Sequence, residues 1–287
     1  MRKILITGST GFIGSNLLKD LYYKHKVFII LRKKLKTADD IKKYKNVKII
    51  YYKKLDDLNK KLRVLKVDIV IHCATHYTKK HSYRDLLELN KSNILFGNVI
   101  LENLKIMKTK KFINFSTVWE DYNSKKDNCF NLYSVYKKCF STLIDYYSNI
   151  LPKTNFYNLM ISDTFGAYDK RIKIINTLRN NYKNDKITKI ISRNLFMNLL
   201  NIKDINNAIS LIISKNIKAG KYLIKNKVTY KIGDLITAFN GNSSKKIKIK
   251  WLSNKTIHEK IYSYKKLKGW NPKQSSKIDI IKIIQGK

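Results

Sequence analysis

The sequence predicts an α/β protein: a doubly wound parallel sheet joined to a smaller carboxyl-terminal α/β lobe. Three observations lead there. Seven short runs rich in Ile and Val alternate with longer stretches of helical period, a glycine-spaced turn follows the first run directly, and the alternation fades after about residue 162. Strand alternating with helix implies right-handed crossovers and a parallel sheet. A chain of 287 residues is long enough for one large domain or two smaller ones sharing a core.

The expected strands, in order, are "KILIT", "KVFIIL", "VKIIYY", "VDIVIHCA", "KFINFST", "NFYNLMIS" and "GKYLI". Between the first two, "IGSNLLKDLYY" puts Leu17, Leu18 and Leu21 on one helical face. The stretch "SYRDLLELNKSNILFGNVILENLKIM" is long and apolar enough for one major helix. From Tyr133 to Asn149 a stripe of Tyr136, Cys139, Phe140, Leu143, Ile144 and Tyr147 marks another. The sheet domain is expected over 1–162 with a return segment near 199–225, and the smaller lobe over 163–198 and 226–287.

Net charge is +40, yet only seven of the 60 basic residues are Arg, and the lysines are scattered through every segment. That pattern is the mark of codon drift in an AT-rich genome and predicts a solvated basic surface, with no nucleic-acid partner, that would still attract an anionic small substrate. Cys73, Cys129 and Cys139 form no paired spacing, so neither a disulfide framework nor a metal site is expected, and the compartment is read as reducing. The first apolar stretch stops at Gly8, too short for a signal-peptide core, and no 18-residue apolar run exists. A cytoplasmic protein with no membrane partner is expected.

The segment "TGSTGFIG" places Gly8, Gly11 and Gly14 between the first strand and a helix starting near Phe12. Such a turn needs positive φ and missing side chains, and it aims a helix amino terminus at an anion. A dinucleotide pyrophosphate fits there, which makes the sheet a Rossmann domain. An acid at the end of the second strand would accept hydrogen bonds from the ribose hydroxyls of NAD, but none lies between Asp20 and Asp39. Arg32, Lys33 and Lys34 stand there instead, so NADP is the expected cofactor.

A Tyr four residues before a Lys on a helix shares a face with it, and the ammonium lowers the phenol's pKa. Seven such pairs occur, so position must choose. Only Tyr122/Lys126 and Tyr133/Lys137 lie between the fifth strand and the sixth, directly after the carboxyl end that faces the cofactor crevice. Tyr122 lies in the polar, turn-rich "EDYNSKKDN", whereas Tyr133 opens a periodic helix, which selects Tyr133 and Lys137. A hydroxyl partner for the same carbonyl should come from the end of the fifth strand, where Thr117 is better placed and Ser116 is the alternative.

"TGSTGFIG", "VDIVIHCAT", Asn93 in "KSNILFGNVILEN", "FST", "NLYSVYK", "NLMISDTFGAYD", "NIKDINNA" and "KGWNP" follow one another here in a familiar order. In this the chain resembles the extended short-chain dehydrogenase/reductases acting on nucleotide sugars, over nearly its whole length. Within that family it looks most like the CDP-abequose and CDP-paratose synthase type, 4-ketoreductases of bacterial surface polysaccharide biosynthesis. The resemblance implies that Tyr133 is the general acid at the C4 oxygen, that Thr117 hydrogen-bonds that oxygen, and that Lys137 holds the nicotinamide ribose. It implies that Asn93 supports Lys137 through a water, and that Thr10, Phe12, Ile13 and Ala74 join the glycines at the cofactor. Thr75, His76, Tyr77 and Asp163 would border the sugar. Apart from the resemblance, the long helices at 83–107 and 133–149 could pair with those of a second copy, so a homodimer is expected. The family's common Arg-Asp pair before its "VxD" segment is here Met197-Asn198, so the diphosphate needs other residues. A dehydratase would carry acids directly after the Thr, where this chain has Val118-Trp119. An NAD-retaining epimerase of the same fold is the alternative activity, and a nucleic-acid binder on a dinucleotide fold the remote one.

Overall fold

The computed structural model describes residues 1–32, 41 and 44–286, and the chain divides into two compact units. The first comprises Met1–Met160, Ile212–Leu223 and Tyr262–Lys266. All seven expected strands form: β1 (Lys3–Thr7), β2 (Lys26–Leu31), β3 (Val47–Tyr51), β4 (Ile69–His72), β5 (Lys111–Thr117), β6 (Asn155–Ile161) and, after four short strands of the second unit, β11 (Gly220–Ile224). With β15 (Lys265–Lys266) they make one eight-stranded sheet in the order β15-β11-β6-β5-β4-β1-β2-β3. The register is parallel from β3 through β5, and strand order reverses between β1 and β4, which is the switch point of a Rossmann sheet.

Every residue of β4 is buried, which is why its sequence runs apolar without alternation. On one face of the sheet Val70 and Phe112 pack against α2 (Leu55–Arg63), α4 (Phe96–Asn103) and α5 (Leu132–Ile150) through Leu58, Leu101, Phe140 and Ile144. Each such side chain contributes ~1.5–3 kcal/mol when removed from water. Between β1 and β2, α1 (Phe12–Leu21) buries Leu17, Leu18 and Leu21, the stripe read from sequence.

The single long helix expected over 83–107 is interrupted by a π-helical turn. Ser82 and Asp85 form a reciprocal cap on α3 (Tyr83–Leu89), which passes into a π-helical turn, Asn90–Leu95, before α4 begins. The wider turn lets Asn93 face inward, 3 % exposed, where its side chain is taken up by a neighbouring loop. Hydrophobic period cannot register a one-residue insertion of this kind.

The second unit comprises Ile161–Leu211, Ile224–Ile261 and Leu267–Lys287. It holds two-stranded pairings of β7 (Asp163–Phe165) with β10 (Leu199–Asn201) and of β8 (Thr188–Ile190) with β13 (Ile249–Trp251). A three-stranded sheet joins β9 (Leu195–Met197), β12 (Tyr230–Lys231) and β14 (Ile257–His258). Its core gathers Leu178 of α6 (Ile174–Lys183), Phe239 of α8 (Ile232–Gly241) and Ile284 of α9 (Lys277–Gln285). The return to the sheet is narrower than the expected 199–225. Residues 199–211, including most of α7 (Ile202–Ser214), pack with the second unit, and Tyr262–Lys266 return to the first, ending in the two-residue edge strand β15, too short to leave a periodic signal. Among the described residues no helix is long and apolar enough to cross a membrane.

Two motifs distant in sequence meet at one carboxylate. Asp204 of "NIKDINNA" is fully buried, and its side chain accepts from Lys273 N (2.7 Å), Gln274 N (3.0 Å) and Ser275 Oγ (2.5 Å) just after "KGWNP". Its carbonyl accepts from Trp270 Nε1 at 2.9 Å. Asp204→Ala would leave these buried donors without their acceptor, and a loss on the order of 3 kcal/mol is expected in urea unfolding. An unchanged midpoint would refute the staple.

Candidate active site

The glycine turn is shaped by contact with β4. Gly8 has φ +64°, and a Cβ there would stand 2.6 Å from Ala74 N. A Cβ on Gly14 would stand 2.3 Å from Gly8 O, so the helix can approach the turn only without side chains at both positions. Thr7 sets this approach, because its hydroxyl accepts from Ala74 N at 3.2 Å and pairs with His72 Nδ1 at 3.0 Å. Gly11 N donates to Gly8 O at 2.9 Å, and Gly11 caps α1 without a side-chain hydrogen bond, so the positive end of the helix dipole faces the turn. Thr10, Phe12 and Ile13 belong to this turn and helix start.

At the carboxyl ends of β2 and β3 a cavity of about 830 Å³ is lined by Arg32, Lys53, Lys54, Lys60 and Lys61. Asp56 and Asp57 also line it, and Asp57 accepts from Lys61 Nζ at 3.0 Å. Glu88 of α3 stands 3.9 Å from Arg32, an acid that inspection of the second strand alone did not find. Lys33 and Lys34 lie outside the described residues.

The Tyr-Lys pair stands on α5. Asn131 and Ser134 cap this helix reciprocally, each side chain bonding the other's backbone N–H at 3.0 Å, so the turn that carries Tyr133 is fixed. Lys137 lies one turn on, 4 % exposed, and burial pushes its ammonium down to about 8 against the opposing pull of Glu120. Tyr122 and Lys126 have no such frame: Tyr122 has extended backbone (φ −60°, ψ 141°) within an irregular 3-10 segment, Val118–Ser124, and Lys126 is exposed.

Thr117 ends β5, and its hydroxyl accepts from Trp119 N at 3.2 Å. Ser116, on the opposite face of the strand, bonds inward to Glu120. Alternation along the strand thus separates the two candidates, and Ser116 is committed to the interior. Tyr77 meets the Tyr133 ring edge to face at 5.0 Å and lies 6.4 Å from Trp119. Asn93 holds the loop after β4: its Oδ1 accepts from His76 N (2.7 Å) and Thr75 Oγ1 (3.2 Å), and its Nδ2 donates to His76 O (3.0 Å). His76 pairs with Asp85 at 3.2 Å, and the Ser82 hydrogen bonds, with His76 assisting, hold that carboxyl down at about 2. Asp163 belongs to the second unit, where Lys173 binds it at 2.9 Å. There too, Asn198 of the Met197-Asn198 pair is buried and bonds the backbone of Asn226 in both directions.

The profile of the "NAD dependent epimerase/dehydratase family" matches residues 4–233. The chain belongs to that family. It is similar to the CDP-abequose synthase of Salmonella muenchen, 26% identical over 77% of this chain and 73% of that protein. It is 28% identical to the CDP-abequose synthase of Yersinia pseudotuberculosis over 75% of this chain and 74% of that one. Among solved structures, the UDP-glucuronic acid 4-epimerase of Bacillus cereus in complex with NAD shares the fold with a TM-score of 0.80, at 22% identity over 99% of both chains.

Two residues at this site of the epimerase/dehydratase family member escaped sequence reading: Trp119, whose ring flanks Tyr77, and Glu120, fully buried behind Thr117. Their signal was an acid and a Trp within three residues of the key Thr in a chain poor in both. Burial raises the Glu120 carboxyl to about 7, partly countered by Lys221 and Ser141. An acid with a raised folded pKa stabilises below its unfolded value and loses that stability as pH rises. Relative to Glu120→Gln, the wild type should therefore lose about 3 kcal/mol between pH 4.5 and about 7. Parallel stability profiles for the two proteins would contradict the burial argument.

Proposed function

We propose that this protein uses NADPH to reduce the C4 keto group of a nucleotide-linked 4-keto-6-deoxy or 4-keto-3,6-dideoxy sugar. The observation that carries the reading is the placement of Thr117, Tyr133 and Lys137 at the carboxyl end of β5 and on the adjoining helix, in the unit that also carries the glycine cradle. Similarity to two CDP-abequose synthases supports the substrate class.

A dinucleotide suits the cradle on steric grounds: where Gly8 and Gly14 bar side chains, a Cβ on Gly11 would meet only Gly8 O, at 3.3 Å, so a ligand can come close there. Gly8, Gly11, Gly14 and the helix end with Thr10, Phe12 and Ile13 would hold its pyrophosphate, with Ala74 beneath. Arg32, with Lys33 beside it in sequence and Lys53 and Lys54 lining the cavity, would take a 2′-phosphate. When bound, NADPH supplies the hydride. Tyr133 donates its phenolic proton to the C4 oxygen, Thr117 hydrogen-bonds the same oxygen, and the Lys137 ammonium makes the phenol a stronger acid. Asn93 fixes Thr75 and His76 so that the loop with Tyr77 borders the sugar.

A second reading, an NAD-retaining 4-epimerase, is favoured by one observation: Glu88 beside Arg32 could accept ribose hydroxyls. Consumption of nicotinamide separates the two. A reductase uses one NADPH per product and leaves label from deuterated cofactor at C4. Purified protein that carries NAD and interconverts two sugar nucleotides without added NADPH would be the epimerase.

Tyr133→Phe should lower kcat by ~10²–10⁴-fold with NADPH affinity retained, and Tyr122→Phe should change little. Exchanged phenotypes would move the site to the other pair. Arg32→Asp should weaken NADPH and improve NADH in competition kinetics; a wild type that already prefers NADH would defeat this assignment.

A further inference from the structure

Glu120 is a buried acid to which the proposed chemistry assigns no task. Its carboxylate is fully buried and accepts hydrogen bonds from Ser116, the residue before Thr117, and from Ser141 at 2.9 and 3.1 Å. Tyr133, Lys137 and Ser141 follow one another at four-residue steps along α5, so a single helical stripe carries all three. The polar chain continues inward, with Asn158 Nδ2 donating to Ser141 Oγ at 2.9 Å and Asn114 Nδ2 to Asn158 Oδ1 at 2.8 Å. Glu120 thus ties the strand end bearing Thr117 to the stripe bearing Tyr133 and Lys137. A neutral amide could make the same tie, and a buried carboxylate costs several kcal/mol in lost hydration unless a nearby cation offsets it.

We propose that Glu120 is a positioning residue whose carboxylate, held by Ser116 and Ser141, keeps the buried Lys137 ammonium charged and aligned behind Tyr133. The inference rests on the reading of Thr117, Tyr133 and Lys137 as the reducing site.

The surroundings make Glu120 the controlling charge. Lys137 interacts electrostatically with Glu120 of the 3-10 segment, with His72 at the end of β4 and with Cys73 just after it. Burial keeps the Cys73 thiol protonated and pushes His72 down to about 3, so neither carries charge near neutrality. Around Glu120 stand Lys137 and Lys138 of α5, Lys221 of β11, and the Cys129 thiol, which burial also raises. Above about pH 7, where its carboxyl has ionised, Glu120 is therefore the anion that acts on Lys137, and removing its charge should let Lys137 lose its proton at lower pH.

The test compares the full-length wild type with Glu120→Gln, which keeps shape and acceptor but removes charge. The proton affinity of Lys137 is read, without substrate or cofactor, from the pH dependence of competitive acetylation of its peptide by mass spectrometry. The alkaline limb of kcat is read in parallel. Both midpoints should move down by about one pH unit, with KM for the sugar near wild type. Ser141→Ala, a smaller change that serves if Glu120→Gln does not fold, should displace the acetylation midpoint in the same direction. An acetylation midpoint unmoved in the foldable variant overturns the proposal. A displaced midpoint in a protein that reduces no keto sugar upholds the Glu120–Lys137 coupling and rejects the reductase reading. An unmoved midpoint in a working reductase does the reverse.

Discussion

The burial of one lysine ammonium is the constraint on which the site depends. Lys137 has been taken out of water inside a sheet-and-helix layer, and a charge so placed must be answered by neighbours or surrendered. The answering charge comes from Glu120 after β5, while the neutral His72 at the end of β4 and Cys73 just after it share the same interior. Their convergence requires the close strand spacing of the parallel sheet and the fixed start of α5 at the Asn131–Ser134 cap. Packing, capping and proton affinity are here one problem.

The same economy governs the acids. The chain has 20 acidic residues against 60 basic ones, and among the described residues four of those acids are buried, against a single buried lysine. Each acts as a junction. Glu120 joins β5 to α5; Asp121 accepts from Lys138, from the backbone of Asp127 and from Tyr264 of the returning segment. Asp169 holds Arg171, and Asp204 gathers the backbone after "KGWNP". These four acids sit where several donors need one acceptor. The net charge of +40 describes the solvated exterior, while the interior junctions are built on carboxyl groups.

Local irregularity positions the loop beside the proposed sugar site. The π-helical turn at Asn90–Leu95 lets a helical Asn93 reach both backbone polar groups of His76, which a continuous α-helix would present differently. In the second unit, the buried Asn198 serves the backbone of Asn226 in both directions, a tie made by one amide.

The sequence by itself determined the strand-helix alternation, the glycine turn and the helix that carries Tyr133 and Lys137, because each follows from local period, steric need or position after a strand. The burial of Glu120 lay beyond it: the residue sits in a segment whose polar composition reads as a surface turn, and only the inward fold of Val118–Ser124 buries it. Glu88 beside Arg32, the break in the long helix and the return of Tyr262–Lys266 to the sheet were hidden for the same reason. Local rules depend on neighbours within a turn or two. Burial, and with it the charge state of an acid or a lysine, is settled by residues tens of positions away that only the tertiary structure brings together.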